Sequence, residues 1–146
     1  MTTTFELPLR IILADPPAGV LYCLQRRSRA DCVNHARSDG GDLVFDLAIQ
    51  VKPGGDEPDF VGPFIQGRRG ERYVTILIGT LAGDAHSCWT RAAKFWLRGI
   101  TWSLIEGLRS RSNAVVAGRF VGTTANGGPA CATAHFVGDG WHVKSE

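Results

Sequence analysis

The sequence predicts a mostly β domain, α+β by strict count: an antiparallel β-barrel or half-barrel of about eight strands with one α-helix near residues 101–110. Eighteen glycines and seven prolines fall in clusters that separate apolar runs, the punctuation of short strands joined by turns. The runs alternate apolar and polar residues with the period of a strand. Only one stretch combines helical spacing with a capping residue, and parallel strands would need a crossover helix between most neighbours, so pairing is expected to be predominantly antiparallel. Full closure would also remove the sheet edges that so much strand creates.

Taken in chain order, Phe5 to Leu13 places Phe5, Leu7, Leu9, Ile11 and Leu13 on one face and Glu6, Pro8 and Arg10 on the other. Pro8 lacks a backbone donor, which predicts an edge or bulged strand. The turn Asp15-Pro16-Pro17-Ala18-Gly19 leads to a strand from Val20 to Arg26. After Ser38-Asp39-Gly40-Gly41, the run Leu43 to Val51 alternates most regularly, with Asp42, Asp46 and Gln50 opposite its apolar face. Pro53-Gly54-Gly55 ends it, and a strand is expected from Asp59 to Gln66. Beyond the turn from Gly67 to Gly70, Tyr73 to Ile78 is apolar on both faces apart from Thr75, as expected of a central, covered strand. A Gly83-Asp84 loop precedes a strand from Trp89 to Leu97.

The helix is expected at Trp102 to Arg109, where Thr101 caps the first turn and Ile100, Leu104 and Leu108 stack at four-residue spacing. Arg109 and Arg111 suit the negative end of its dipole, and Asn113 suits the exit. Ala114 to Val121, Cys131 to Val137 and a short run from Trp141 to Lys144 complete the strands, divided by Asn126-Gly127-Gly128-Pro129 and Gly138-Asp139-Gly140.

At 146 residues, with no internal repeat or linker, residues 1–146 read as a single domain large enough to bury its own core. A formal charge of +2 is an ordinary surface and not the strongly basic face that a phosphate backbone requires, so nucleic acid is not an expected partner. The alternating first fifteen residues are unlike a signal peptide, and no stretch approaches membrane-spanning length. Cys23, Cys32, Cys88 and Cys131 form no C-x-x-C pair and are expected to be reduced thiols in a cytoplasmic protein, the alternative being two disulfides after export. No spacing suggests a metal, and His35, His135 and His142 lack a partner at ligand spacing. No cofactor motif occurs, since Gly62 to Gly67 lacks the ending and following helix of a phosphate loop.

The segments Leu9-Arg10-Ile11-Ile12-Leu13-Ala14-Asp15-Pro16-Pro17-Ala18-Gly19-Val20, Arg37 to Leu43, Gly62-Pro63-Phe64-Ile65-Gln66-Gly67, Ser87-Cys88-Trp89-x-Arg91-x-x-Lys94, Gly99-Ile100-Thr101-Trp102 and Gly127 to Thr133 appear in this order. Together they resemble a small bacterial family of unknown function, domain of unknown function 5990, over nearly the whole chain. The resemblance implies a bacterial cytoplasmic setting and brings no activity, cofactor or catalytic residue. Asp84 and Arg68-Arg69 depart from its pattern, which often has Gln and Gly-Pro at those places.

Alternation along the Trp89 to Leu97 strand puts Arg91 on one face with Trp89, Phe95 and Leu97. A guanidinium there needs an anion, supplied either by a structural carboxylate such as Asp39, Asp42 or Asp46 or by a carboxylate or phosphate on a ligand. Gln66 either satisfies its turn or reads a ligand's donors and acceptors. Of the four tryptophans at least two are expected to be packing. These residues support two readings. In the first, the barrel mouth binds a small anionic or aromatic ligand through Trp89, Arg91, Lys94 and Gln66. In the second, an isomerase, cyclase or hydrolase uses Asp39, Asp46 or Cys88 for proton transfer or attack without a metal. A partner-binding sheet face, including that of a homodimer, is also compatible with the sequence.

Overall fold

The computed structural model describes residues 3–14, 20–26, 32–37, 41–80, 89–124 and 134–145. Among them the chain forms β1 (Phe5–Ala14), β2 (Val20–Gln25), β3 (Cys32–Arg37), β4 (Leu43–Lys52), β5 (Asp59–Val61), β6 (Ile65–Arg68), β7 (Glu71–Thr80), β8 (Trp89–Trp96), α1 (Trp102–Arg109), β9 (Ala114–Thr124) and β10 (Ala134–Ser145). One sheet runs β10-β9-β1-β4-β5, and the other contains β3, β2, β7 and β6 with β8 on β7.

Among the described residues the mostly β expectation and the single helix hold, but the sheets do not close into a barrel and the first sheet is mixed. β1 pairs antiparallel with β4 and parallel with β9. A parallel partner from so far along the chain leaves no local sequence signal, because alternation fixes which face a residue occupies and not which strand lies beside it. β1 is therefore an interior strand, contrary to the expectation from Pro8. Its ladder with β9 begins only at Leu9, so Pro8 lies in the part of β1 that is flanked by β4 alone. The missing donor is tolerated where one ladder is absent.

The predicted run from Asp59 to Gln66 divides into β5 and β6 at a turn in which the Ile65 amide donates to the Gly62 carbonyl at 3.2 Å. The two C-terminal runs merge instead into β10, which crosses an irregularity between Gly138 and Trp141. β3 has no counterpart among the predicted strands. β7 is central, as expected: it pairs with β6 and β2 along one side and with β8 along the other.

One apolar cluster joins the sheets. From β1 and β4 come Leu7, Leu9, Ile11, Leu13, Phe45, Leu47, Ile49 and Val51; from the second sheet come Tyr22, Leu24, Ile65, Val74, Ile76 and Phe95. Each such buried side chain contributes about 1.5–3 kcal/mol. The α1 helix adds Ile105 and Leu108 beside Val116 and Trp141. Thr101 caps it by accepting from the Leu104 amide at 3.2 Å, Arg109 occupies its last turn, and Asn113 takes a positive φ of 55° at the exit. No helix among the described residues is long and apolar enough to cross a membrane.

Candidate functional site

β8 is an edge strand among the described residues, and its ladder with β7 fixes which way its backbone faces. The Leu97 amide donates to the Arg72 carbonyl at 3.0 Å, and Tyr73 lies opposite Trp96 in the same register. Hydrogen-bonded and non-hydrogen-bonded pairs alternate in an antiparallel ladder, so the amides and carbonyls of Lys94 and Trp96 point away from β7. On that side lies β10. The Trp141 indole nitrogen donates to the Trp96 carbonyl at 2.8 Å, bridging the two sheets where a closed barrel would have a strand ladder.

A surface groove of about 400 Å³ follows this seam, with Lys94, Trp96 and Arg98 on one side and Phe120, Gly138 and Trp141 on the other. Trp96 is 37% exposed and Trp141 is buried. The Lys94 ammonium lies 4.7 Å from the centre of the Tyr73 ring and 5.9 Å from that of Trp96, and the Arg98 guanidinium lies 5.3 Å from the Trp96 ring. Tyr73 and Trp96 are themselves tilted against each other at 4.9 Å. Exposed cation–π contacts of this kind contribute about 0.5–1 kcal/mol each, enough to orient the two cations without neutralising them.

The groove wall is built on two glycines. Phe95, Phe120 and Trp141 form an edge-to-face series with centroid separations of 4.7 and 5.5 Å. A Cβ on Gly118 would stand 2.7 Å from the Phe120 ring and 2.8 Å from the Trp141 ring, and one on Gly138 would stand 2.5 Å from the Phe120 ring. Gly118→Ala is therefore expected to cost about 1–3 kcal/mol by overpacking, measured as a lower urea midpoint with unchanged slope. A neutral result would show that the rings are free to move.

Of the sequence-predicted ligand-binding residues, Lys94 and Gln66 have described side chains. Lys94 lines the groove. Gln66 is opposite Tyr73, itself opposite Trp96, which places it on the same sheet face two strands away; its side-chain amide donates to the Arg26 carbonyl at 3.2 Å. This bond reaches the end of β2 and not the turn that follows Gln66. Arg91 occupies the β8 position opposite Ile78, next to an irregularity in the ladder, and Trp89 is opposite Gly79; their side chains are outside the described set. Asp46 accepts from the Arg10 guanidinium at 2.7 Å and is 59% exposed. Asp42 lies 3.8 Å from Arg119. Asp39 and Cys88, with His86 and Ser87, lie outside the described residues.

Cys23 differs from the reduced-thiol expectation: it is disulfide-bonded, to a partner outside the described side chains. Among the described residues no group of His, Cys, Asp or Glu is arranged to hold a metal ion.

Sequence reasoning missed a second polar constellation, built around Arg72 and Asp59. The Arg72 guanidinium donates to Asp59 at 3.0 and 3.5 Å and also to the Gly67 carbonyl. Asp59 is buried. Burial would raise its pKa, but the hydrogen bond and charge of Arg72, the Phe60 amide and the charge of Arg69 together hold it below its ordinary value. The alternation that puts Phe60 inside gives no sign that Asp59 is also covered, because its cover comes from another strand. A polar cavity of about 420 Å³ lies beside this pair, lined by Asp56, Glu57, Pro58, Arg69 and Gly70. It offers mixed charge on two loops, whereas the seam combines aromatic faces with cations alone.

Fold and site together define a mixed β protein with an aromatic and cationic groove where its two sheets meet. The chain belongs to a family of unknown function (DUF5990), whose match spans residues 7–144. No curated protein and no solved structure matches it.

Proposed function

We propose that this protein is a small-molecule-binding module whose seam groove takes a planar, anionic ligand. The observation that carries this reading is the alternation Lys94-Trp96-Arg98 at a free strand edge: an exposed indole with a cation on each side. A flat ring stacks against Trp96 and the apolar wall of Phe120 and Trp141, while its anionic group meets the Lys94 ammonium and Arg98 guanidinium. The glycines of the opposite wall let the Phe120 and Trp141 rings pack closely against it. Asp139, between Gly138 and Gly140, is exposed and does not line the groove, so no described carboxylate opposes an anion there. For the same reason the enzyme reading has no described carboxylate at this site.

Titration with 2-naphthoate is expected to quench tryptophan fluorescence saturably in the wild type. Trp96→Ala is expected to weaken binding at least about tenfold, the ~1.4 kcal/mol of one well-placed aromatic pair, with little change in unfolding midpoint because Trp96 is a partly exposed side chain. An absence of saturable quenching, or undiminished affinity in the variant, sinks the reading.

A further inference from the structure

We infer that the group received at the seam is a carboxylate, read by the main chain of β8, and that Trp141 sets this specificity by capping the Trp96 carbonyl. The inference rests on the binding reading above and names the ligand class for the same groove. In the antiparallel register with β7, the Trp96 amide and carbonyl both face the seam. An ordinary free edge therefore presents one donor and one acceptor at this residue, the pattern that recruits another strand.

Here the acceptor is taken. The Trp141 indole N–H occupies the Trp96 carbonyl at 2.8 Å, while no described group accepts from the Trp96 amide. At Trp96 itself only a donor remains among the described groups: its amide flanked by the Lys94 and Arg98 cations, beside an exposed indole, while the Lys94 carbonyl lies two residues back along the strand. A carboxylate has acceptors and no donor, so it matches the Trp96 amide and the two cations beside it. An amide or an extended peptide brings an N–H that finds no acceptor at Trp96, and leaving that donor unpaired in a desolvated groove is unfavourable. Trp141 thus both ties the sheets together and removes the acceptor that an added strand or an amide would use at Trp96, leaving an aryl carboxylic acid as the better match there.

The test uses the intact protein with 2-naphthoate and its neutral analogue 2-naphthamide. In amide-resolved NMR titrations, the Trp96 backbone proton is expected to move downfield with 2-naphthoate and to saturate together with the fluorescence change. Affinity for 2-naphthamide is expected to be at least about tenfold weaker. Trp141→Phe keeps an aromatic ring but removes the indole donor, so the preference for the acid over the amide is expected to shrink about threefold or more. Should that variant not fold, the wild-type titration decides alone. Saturable 2-naphthoate binding with an unmoved Trp96 amide, or equal affinity for the two probes, overturns the main-chain reading while leaving the groove as a binding site. Failure of 2-naphthoate to bind at all removes the proposed function itself.

Discussion

Asp59→Asn is expected to destabilise the protein by about 3 kcal/mol, because it leaves the Arg72 guanidinium as an uncompensated, mostly buried charge. The two side chains are 6% and 17% exposed, so solvent does little to screen the loss. Replacing both partners by apolar residues of similar size, Asp59→Leu with Arg72→Met, is expected to recover a large part of that stability, since the cost lies in the orphaned charge and not in the absence of a salt bridge. Chemical denaturation of the three variants at neutral pH checks this. A change under about 0.5 kcal/mol in the single variant would place the pair among surface contacts of no consequence.

The same pair gives a pH dependence with a definite sign. The folded-state pKa of Asp59 lies below the ordinary value of 3.8, so the folded protein holds this carboxylate ionised where the unfolded chain has begun to protonate it. The stabilisation is therefore fully present above the unfolded pKa and is lost as pH falls through the lower folded value. Wild-type melting temperature is expected to drop across that acidic window, and Asp59→Asn is expected to lack this component of the drop. Parallel curves for the two proteins would show that Asp59 does not titrate as described.

Strand alternation was the part of the fold most legible in sequence, because burial on one face writes itself into every second residue. The odd positions from Leu7 to Leu13 and from Phe45 to Val51 are all buried. Thr101 marked the helix start for an equally local reason, since it satisfies a first-turn amide, and Asn113, three residues past the C-cap Ser110, takes the positive φ of the turn into β9. Partnership between distant strands left no such trace. Nothing in Leu9 to Ala14 discloses that Val116 to Val121 runs parallel beside it, and the barrel expectation followed from treating the strands as one sheet.

The site was legible to the same degree. Lys94 sits in the groove, yet its partners Phe120 and Trp141 come from strands that only the seam brings beside β8. A buried arginine–carboxylate pairing is seen at Arg72 and Asp59, residues on β7 and β5 whose meeting depends on the turn that divides β5 from β6. Charge in sequence reports composition, whereas the energy of a pair depends on burial that a second strand supplies.

Phe95→Ala is expected to have the other large effect, about 3–5 kcal/mol. Phe95 is 2% exposed, faces Val74 across the β7–β8 ladder and meets Phe120 edge-to-face at 4.7 Å. Through it the second sheet touches the aromatic series of β9 and β10, so its removal opens a void where no described backbone ladder holds the sheets together. Phe95→Leu keeps much of the volume and is expected to cost about 1–2 kcal/mol. Urea unfolding should show the alanine variant with a lowered midpoint and 2-naphthoate affinity weakened further than stability alone dictates, because Phe95 also lines the groove. A loss below about 1 kcal/mol would mean that the strands around the seam rearrange freely. A groove that survived such collapse with unchanged affinity would not depend on the packing of β8 against β9 and β10.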